Sequence, residues 1–298
     1  MSKLLLVDGS ALLHRAYHAY PPFTTKTGVI VGAVYGVASI LISAIEEVQP
    51  THLMVAWDLP KPTFRHLKYV GYKAQRPKAD TEMVEQIPMV KEVIETMGIV
   101  QLAEEGYEAD DIIGTLSKMG SSENEVVILT GDQDTMQLVS PHVRVLTPAK
   151  GQNPPVLYGQ GEVLNKYGVQ PEQIVDYKAL IGDSSDNIPG VSGIGPVMAS
   201  KLINEYGSLD EIYRQLNSIP IIQRRKLEEG KESAMLSQDL SRIVTDMKID
   251  IAIEKMEYKG FMTDEVKDKF EELGFKSLIK RFFAQDEIKK PDPQMELF

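Results

Sequence analysis

Three short apolar segments, each followed closely by an aspartate, constrain the fold of this 298-residue chain more than any other feature. The three aspartates are Asp8, Asp58 and Asp132. Apolar runs of this length are typical of strands buried on both faces, and helical patterns over residues 32–48 and 81–97 separate them. This alternation predicts an α/β fold with a mainly parallel central sheet flanked by helices.

The same three aspartates are expected to meet at one edge of the sheet. Ligand sites in such sheets lie at the carboxyl ends of the strands, where Asp8, Asp58 and Asp132 all fall. A single aspartate after a strand is usually a turn or helix-capping residue. Three of them at the same edge favour a functional site.

The second half of the chain has a different pattern, because helical periodicity replaces the strand signal from Gly159 onwards. We therefore expect an α/β core over 1–158, a helical lobe over 159–285 and a tail over 286–298. The helices predicted in the second lobe span residues 171–181, 196–206, 208–216, 224–245 and 263–273.

Further acids cluster at residues 108–111, 132–134 and 183–186. With the strand-end acids they give nine candidate metal ligands: Asp8, Asp58, Glu108, Asp110, Asp111, Asp132, Asp134, Asp183 and Asp186. In a continuous helix Glu108 and Asp111 would share one face and Asp110 would point elsewhere. A solvated acidic surface, or scattered helix caps, explains each cluster separately but explains the whole set poorly.

Nine ionised carboxylates can converge only around cations. Carboxylate oxygens, in a chain with no Cys and five His, favour Mg²⁺ or Mn²⁺ over zinc. Two such ions suit in-line phosphoryl displacement, in which the metal activates water and offsets charge on the attacking and leaving oxygens. The absence of Cys also excludes disulfides, thiolate zinc sites and a Cys nucleophile, and it fits a reducing compartment.

The overall charge argues in the opposite direction if it is taken alone. Asp and Glu number 43 against 32 Lys and Arg, a formal charge of −11, whereas DNA-coating proteins gain affinity from clustered cations. Carboxylates that surround metal ions count as negative in a sum that omits the metal. The acidity is therefore compatible with a nucleic-acid partner if the metal site is real.

Between Lys61 and Lys78 the local charge reverses, with no acid in the segment. Its cations are Lys61, Arg65, Lys68, Lys73, Arg76 and Lys78, together with His66. Phe64, Tyr69 and Tyr72 are interleaved, and this pairing of cations with stacking surfaces is expected for binding single-stranded nucleic acid. An ordinary solvated loop is the alternative. We name the wider stretch around this segment, about residues 60–85, the arch and expect it to lie over the metal site.

A glycine-rich turn at residues 188–196 leads into the helix predicted from Pro196. Gly193 and Gly195 would let backbone N–H groups approach a phosphate at the start of that helix, and Lys201 lies within it. The spacing differs from that of a dinucleotide-binding loop. It indicates a helix-hairpin-helix that holds duplex backbone without reading sequence, and a plain helix–turn–helix joint is the alternative.

Together these motifs resemble the 5′-nuclease domain of bacterial DNA polymerase I, within the flap endonuclease family. The resemblance runs in order through about the first 280 residues. Because no polymerase sequence follows, we expect a stand-alone form. The matching segments are Val7–Ser10, Ala56–Asp58, Tyr72–Arg76, Glu108–Asp111, Thr130–Asp134 and Gly182–Gly190, followed by the glycine hairpin.

The resemblance implies a PIN-like core with a helical arch and a helix-hairpin-helix C-terminal lobe. It implies a Mg²⁺-dependent, structure-selective 5′–3′ exonuclease and 5′-flap endonuclease that acts on DNA in replication and repair. Its substrates would be DNA with 5′ flaps, nicks or branches.

The resemblance also implies roles for individual residues. Asp8, Asp58 and the acids at 108–111 match the family's first metal cluster, Asp132 and Asp134 lie near both ions, and Asp183 and Asp186 match the second. In the arch, Lys73 and Arg76 match catalytic residues that steady the scissile phosphate, and Tyr72 matches a position whose ring can stack on a base. Arg65 and Lys68 are further candidate DNA contacts. The family's hairpin often holds K⁺, which makes K⁺ a third candidate ion.

The tail ends in Gln294–Phe298, which is similar to the pentapeptide with which bacterial proteins bind the sliding clamp. Clamp binding is therefore a hypothesis, and a frayed tail is the alternative. No apolar stretch approaches the length of a signal or membrane-spanning segment. We expect a monomeric, cytoplasmic protein.

Three other functions fit parts of the sequence. A flap- or junction-binding protein without catalysis would gain nothing from carboxylates that repel DNA. A metal-dependent RNase could share the acidic sheet edge, but such domains are usually shorter and have neither arch nor hairpin. A phosphatase with an Asp nucleophile fits the Asp8-Gly9-Ser10 motif only in part, because the second Asp of that motif is missing.

Overall fold

The computed structural model describes residues 2–149, 151 and 153–283. Its centre is a six-stranded sheet with the order β3-β2-β1-β4-β5-β6, in which only β6 runs antiparallel to its neighbour. The strands are β1 Lys3–Asp8, β2 His52–Ala56, β3 Val100–Leu102, β4 Glu125–Leu129, β5 Val143–Thr147 and β6 Val156–Tyr158. The predicted α/β class is confirmed.

The strands are apolar throughout because both faces of the sheet are covered. Leu5 and Val7 of β1 point into one core, shared with Leu41 of the helix over Gly32–Val48. Leu4 and Leu6 point into the other core, shared with Ile112. Successive residues of a strand point to opposite faces, so a fully apolar run is what a sheet between two helical layers requires.

Thirteen α-helices lie within the described residues. They are α1 Gly9–Ala19, α2 Gly32–Val48, α3 Phe64–Lys68, α4 Thr81–Thr96, α5 Ala109–Gly120, α6 Gln160–Tyr167, α7 Ile174–Ile181, α8 Pro196–Tyr206, α9 Leu209–Arg214, α10 Ile221–Glu229, α11 Lys231–Ser241, α12 Asp264–Leu273 and α13 Lys276–Phe282. Short 3₁₀ segments cover Asp134–Leu138, Pro171–Gln173, Leu216–Ser218 and Ile253–Met256. Among these helices none combines the length and the apolar character needed to cross a membrane.

The single helix predicted over 224–245 is wrong, because this stretch forms the two helices α10 and α11 with Gly230 between them. A Cβ atom at Gly230 would lie 2.8 Å from a methyl carbon of Val191, so a glycine is needed where the chain passes this close. Within the arch, α3 is a short helix, a run of turns covers residues 70–75, and α4 begins at Thr81.

The last two helices return to the sheet lobe. Phe270 of α12 and Phe275, just before α13, are fully buried in the same core as α2. The ring of Phe275 meets those of Tyr35 and Phe23 edge-on, with centroids 5.4 and 6.2 Å away. The boundary at residue 158 and the tail over 286–298 stay predictions, and the clamp-like peptide Gln294–Phe298 lies outside the described residues.

Candidate active site

A cleft of about 690 Å³ opens at the carboxyl edge of the sheet, where the sequence places its strand-end acids. The acids that line it are Asp8, Asp58, Glu108, Asp110 and Asp132. They come from the ends of β1, β2 and β4 and from the start of α5. Residues far apart in the chain thus converge because parallel strands end at one edge.

Backbone and side-chain donors fix the orientation of two of these acids. Asp8 caps α1: one of its oxygens accepts a hydrogen bond from the N–H of Ala11 at 2.8 Å, and the other accepts one from the Thr130 hydroxyl at 2.9 Å. Asp58 accepts a hydrogen bond from the N–H of Ala109 at 2.9 Å. The acids of the cleft are therefore tied to three strands and to α5, on rigid parts of the fold.

The cleft holds more negative charge than its surroundings neutralise. Burial, and secondly the charge of Asp58, raise the pKa of Asp8 from 3.8 to about 7. Burial followed by the charges of Asp132 and Asp8 raises the pKa of Asp110 well above its usual value. Burial also raises the pKa of Asp132. Oδ1 of Asp110 is buried and has no hydrogen-bond partner among the described residues.

This chemistry fits a hard divalent cation, because converging carboxylates with raised pKa values and an unpaired buried oxygen lack a positive partner. In the described residues, however, no group of three or more acidic or histidine side chains is already arranged to hold a metal ion. Five of the nine candidate acids form ion pairs with lysine or arginine side chains: Glu108, Asp111, Asp134, Asp183 and Asp186.

Lys178 lies between Asp134 and Asp183. Its ammonium is 2.6 Å from Oδ2 of Asp183 and also donates to Oδ1 of Asp134. Ser185 donates its backbone N–H and its hydroxyl to Oδ1 of Asp183 at 2.8 and 2.6 Å. Although burial alone would raise it, Lys178 and Ser185 lower the pKa of Asp183 to about 2. These two acids form a second acidic group beside the cleft.

No motif in the sequence indicated a role for Lys178. It lies in α7, whose other residues are mostly buried and apolar, and it is itself 9% exposed. Lysine is almost never buried unless it is paired. A lysine within this apolar run, five positions before Asp183, could have indicated a buried ion pair with a nearby acid.

The foot of the arch closes over the acids through Lys73 and Arg76. The Lys73 ammonium is 2.8 Å from Oε1 of Glu108 and 3.8 Å from Oδ2 of Asp186. Arg76 pairs with the other oxygen of Asp186. Although burial would lower it, the charges of Glu108 and Asp186 raise the pKa of Lys73. Lys73 has φ +54°, and its N–H donates to the Asp186 carbonyl at 2.9 Å, so its backbone is fixed as well.

Arg65 and Asp111 do not face the cleft, which corrects their expected roles as DNA contact and metal ligand. Their side chains form a fully buried two-point ion pair with N···O distances of 2.7 and 2.8 Å. Arg65 also donates to the carbonyls of Leu240 and Arg242, and Asp111 accepts from the N–H of Val244 at 2.9 Å. With these partners, neither group is free to bind phosphate or metal.

Tyr72 is 4% exposed and therefore offers no ring face to a base in this structure. Its ring packs with Ile188 and Leu240, and its hydroxyl donates to Glu108 at 3.0 Å and to Asp186 at 3.3 Å. The expected base stacking by Tyr72 is thus replaced by a link between the arch and the two acids. Lys68 is exposed and pairs with an acid of α11, Asp239, at 2.6 Å.

The glycine hairpin lies in the second lobe at the start of α8. Gly193 has φ +76°, and Gly195 caps the helix directly before Pro196. Lys201 is exposed on α8. Lys226 of α10, for which no sequence motif indicated a role, donates to the carbonyl of Gly193 at 2.9 Å and brings a cation to the turn.

Two family models match the chain. Residues 3–168 match the 5′-3′ exonuclease N-terminal resolvase-like domain, and residues 169–264 match the 5′-3′ exonuclease C-terminal SAM fold. Together these two matches cover residues 3–264, a range that contains every candidate metal-binding, catalytic and DNA-binding residue named above.

Individual proteins are also similar to this chain over nearly its whole length. DNA polymerase I of Bacillus subtilis is 40% identical over 296 residues, which cover 99% of this chain and 34% of that protein. The 5′-3′ exonuclease of Aquifex aeolicus is 36% identical over 299 residues, which cover all of both proteins. The chain thus spans about a third of the length of its polymerase relatives and the whole length of the exonuclease.

Among solved structures, the T5 D15 protein co-crystallised with metal ions superposes with a TM-score of 0.68 over 91% of this chain and 99% of that one. Its sequence identity is 22%, so this similarity concerns the fold. The family models and the curated relatives establish membership. The chain belongs to the 5′-3′ exonuclease family.

Proposed function

We propose that this protein is a Mg²⁺-dependent, structure-selective 5′–3′ exonuclease and 5′-flap endonuclease that hydrolyses DNA phosphodiesters in replication and repair. We propose further that it acts as a monomer in the cytoplasm. One observation carries the activity: Asp8, Asp110 and Asp132 converge with raised pKa values directly beside the cationic arch residues Lys73 and Arg76. Family membership supports the same assignment.

Two groups of acids would hold two ions. The first comprises Asp8, Asp58, Asp110 and Asp132, with Glu108 at its rim, and the second comprises Asp134, Asp183 and Asp186. When bound, the ions supply an activated water and stabilise charge on the attacking and leaving oxygens. Mn²⁺ suits the same oxygen ligands.

Lys73 and Arg76 would bind the scissile phosphate. Both cations pair with the carboxylates of Glu108 and Asp186, and a phosphate oxygen would take the place of a carboxylate oxygen on them. Fixed cations beside the reacting phosphate stabilise the charge that develops in the transition state. Hydrolysis at this position leaves a 5′-phosphate and a 3′-hydroxyl.

The hairpin would hold the duplex beside the cleft without reading its sequence. Backbone N–H groups at the start of α8 and the ammonium of Lys226 favour a phosphate there. K⁺ binding belongs to this proposal too, at carbonyls of the turn other than that of Gly193, which Lys226 already contacts.

A labelled 5′-flap duplex incubated with Mg²⁺ tests the activity. We expect the wild type to cleave it, and we expect Asp8→Asn and Asp183→Asn to bind it without cleavage. Glu123→Gln, at an exposed acid remote from the cleft, should cleave like the wild type. Binding without cleavage by the wild type would establish the non-catalytic binder instead, and a preference for an all-RNA substrate would favour the RNase.

Clamp binding through Gln294–Phe298 is a separate proposal, supported by the similarity of this peptide to clamp-binding pentapeptides. It can be measured by fluorescence titration of the purified sliding clamp with the full chain and with a chain that ends at residue 293. Equal affinities of the two proteins would exclude it.

A further inference from the structure

A second cavity, of about 390 Å³, adjoins the catalytic cleft beneath the arch. The two cavities share Asp58, Lys73, Arg76 and Glu108 as their common wall. A DNA strand whose scissile phosphate contacts Lys73 and Arg76 would therefore extend into the second cavity on one side. The volume lies within the range of pockets that hold small ligands and is compatible with one nucleotide.

The other residues that line this cavity combine rings with cations. They include Pro60, Pro62 and Tyr107, together with Lys61 and His66. The proline rings restrict the backbone on one side, and the only acids among the lining residues are the shared Asp58 and Glu108. Lys73 and Arg76 can hold a phosphate at the shared side of the cavity, and the aromatic and proline rings offer surfaces for a flat base.

Tyr107 lines this cavity, and its aromatic ring is fixed by contacts with α3. It is 36% exposed, and Phe64 contacts it edge-on with ring centroids 6.0 Å apart. The N–H of Phe64 donates to the carbonyl of Gly106 at 3.1 Å, and Gly106 has φ +83°, so the turn that carries Tyr107 is tied to α3. The Tyr107 hydroxyl forms no hydrogen bond with any described residue. We therefore expect Tyr107 to contact a ligand through its ring.

We propose that this cavity is a nucleotide subsite in which Tyr107 stacks on the base next to the scissile phosphate while Lys73 and Arg76 hold that phosphate. This inference rests on the proposed function. It assigns to Tyr107 the stacking contact that buried Tyr72 cannot make in this structure. Stacking is tolerant of base identity, so the subsite positions the strand without sequence preference.

Steady-state cleavage of the 5′-flap duplex by Tyr107 variants tests the subsite. We expect Tyr107→Ala to raise KM about tenfold, the loss of one stacked base, and Tyr107→Phe to stay within about twofold of the wild type. Met119→Ala is the control, because Met119 is an exposed apolar residue near the C-terminal end of α5 that lines neither cavity, and it should leave KM unchanged.

Substrates with a single abasic site test the same contact without changing the protein. An abasic site on one side of the scissile phosphate should raise the wild-type KM about tenfold and should add nothing to Tyr107→Ala, because both changes remove one interaction. Three results would each overturn the subsite. Tyr107→Ala could have the KM of the wild type, or the abasic site could raise the KM of Tyr107→Ala by the same factor as that of the wild type. Tyr107→Phe could also raise KM as much as Tyr107→Ala does. A wild type that cleaves no flap substrate would instead defeat the proposed function.

Discussion

At the scale of single residues, cations lie against carboxylates at the edge of the cleft and beside it. Lys73 contacts Glu108 and Lys178 contacts Asp183, at 2.8 and 2.6 Å. A buried carboxylate without a partner is costly, and these contacts offset part of that cost. Asp110, whose Oδ1 has no partner among the described residues, is the clearest acid left for an ion.

The contact of Lys73 with the acids makes its role in turnover testable. We expect Lys73→Ala to lower kcat on a 5′-flap duplex by about 100-fold, the loss expected when one fixed transition-state contact is removed. Equilibrium affinity for the same duplex should fall only a few-fold, because the hairpin and the rest of the arch still bind it. Rapid-quench kinetics and fluorescence anisotropy measure the two quantities.

Lys68→Ala is the matched control for this prediction, since Lys68 is an exposed lysine of the same segment that pairs with Asp239 on the surface. It should change kcat little. Equal proportional losses of kcat and affinity in Lys73→Ala would show that Lys73 binds the ground state and the transition state alike.

The acids at 108–111 show how far residue-scale prediction reached. The spacing grouped Glu108 with Asp111 and set Asp110 apart, and this is the observed arrangement. Glu108 and Asp111 both contact Arg65, at 3.2 and 2.7 Å, whereas Asp110 lines the cleft. The spacing did not show that Glu108, with φ −100° and ψ 163°, is the N-cap of α5 and lies outside the helix itself. Which residue begins a helix depends on capping contacts that the residue spacing alone does not reveal.

At the scale of elements, apolar periodicity located α2 and α8 to the residue, with the bounds Gly32–Val48 and Pro196–Tyr206. It failed over 224–245, where Gly230 separates two helices because Val191 packs against it. The helical pattern of apolar residues is present on both sides of Gly230. Only a contact with a distant segment decides that the chain must turn there.

The hairpin supports an element-scale prediction about two glycines. Gly193→Ala should lower the free energy of unfolding by about 1 kcal/mol, because Gly193 has φ +76° and an added Cβ would lie 2.8 Å from the Lys226 ammonium. Gly195→Ala should change it by less than about 0.5 kcal/mol, because Gly195 has extended backbone and open space around its Cβ position. Urea denaturation of both variants provides the measurement.

The affinity of the same two variants for duplex DNA shows whether the position of the Lys226 ammonium at the turn matters for binding. Displacement of the Lys226 ammonium from the turn by Gly193→Ala should weaken duplex binding several-fold. If Gly195→Ala destabilised the protein as much as Gly193→Ala, the left-handed backbone at Gly193 would not be the determining feature of the turn.

At the scale of the whole molecule, the −11 charge is distributed unevenly. Acids converge at the carboxyl edge of the sheet, and cations lie over them in the arch. The cleft is therefore the place where metal ions and pH should act on stability most strongly.

The pKa of Asp8 gives the sign of the pH dependence for the metal-free protein. Burial and Asp58 raise this pKa from 3.8 to about 7, so the folded protein holds the proton more tightly than the unfolded chain does. The resulting stabilisation is complete below pH 3.8 and is lost as the pH rises through 7. We expect the free energy of unfolding without metal to fall by about 2 kcal/mol from about pH 5 to pH 8.

Asp8→Asn should reduce this fall, because asparagine keeps the helix cap and carries no charge. Mg²⁺ should raise the melting temperature of the wild type most at the alkaline end, where the acids are ionised, and should raise that of Asp8→Asn less. Calorimetry across this pH range, with and without Mg²⁺, measures both effects. A flat profile without metal, or equal stabilisation of both proteins by Mg²⁺, would contradict the assignment of Asp8 to the ion site.

The sequence by itself determined the parts of this protein that local chemistry controls. Apolar runs ending in Asp8 and Asp58 specified buried parallel strands and the edge at which their acids meet, since a strand's two faces and its end are local properties. The reversal of charge between Lys61 and Lys78 is local as well.

Only the tertiary structure decided which side chains face one another. It buried Arg65 against Asp111 and Tyr72 against Ile188, and it inserted Lys178 between two acids that are 49 residues apart in the chain, Asp134 and Asp183. These outcomes depend on how α3, α7 and α11 pack together. Burial and pairing are properties of contacts between distant segments, and no local pattern of residue types encodes them.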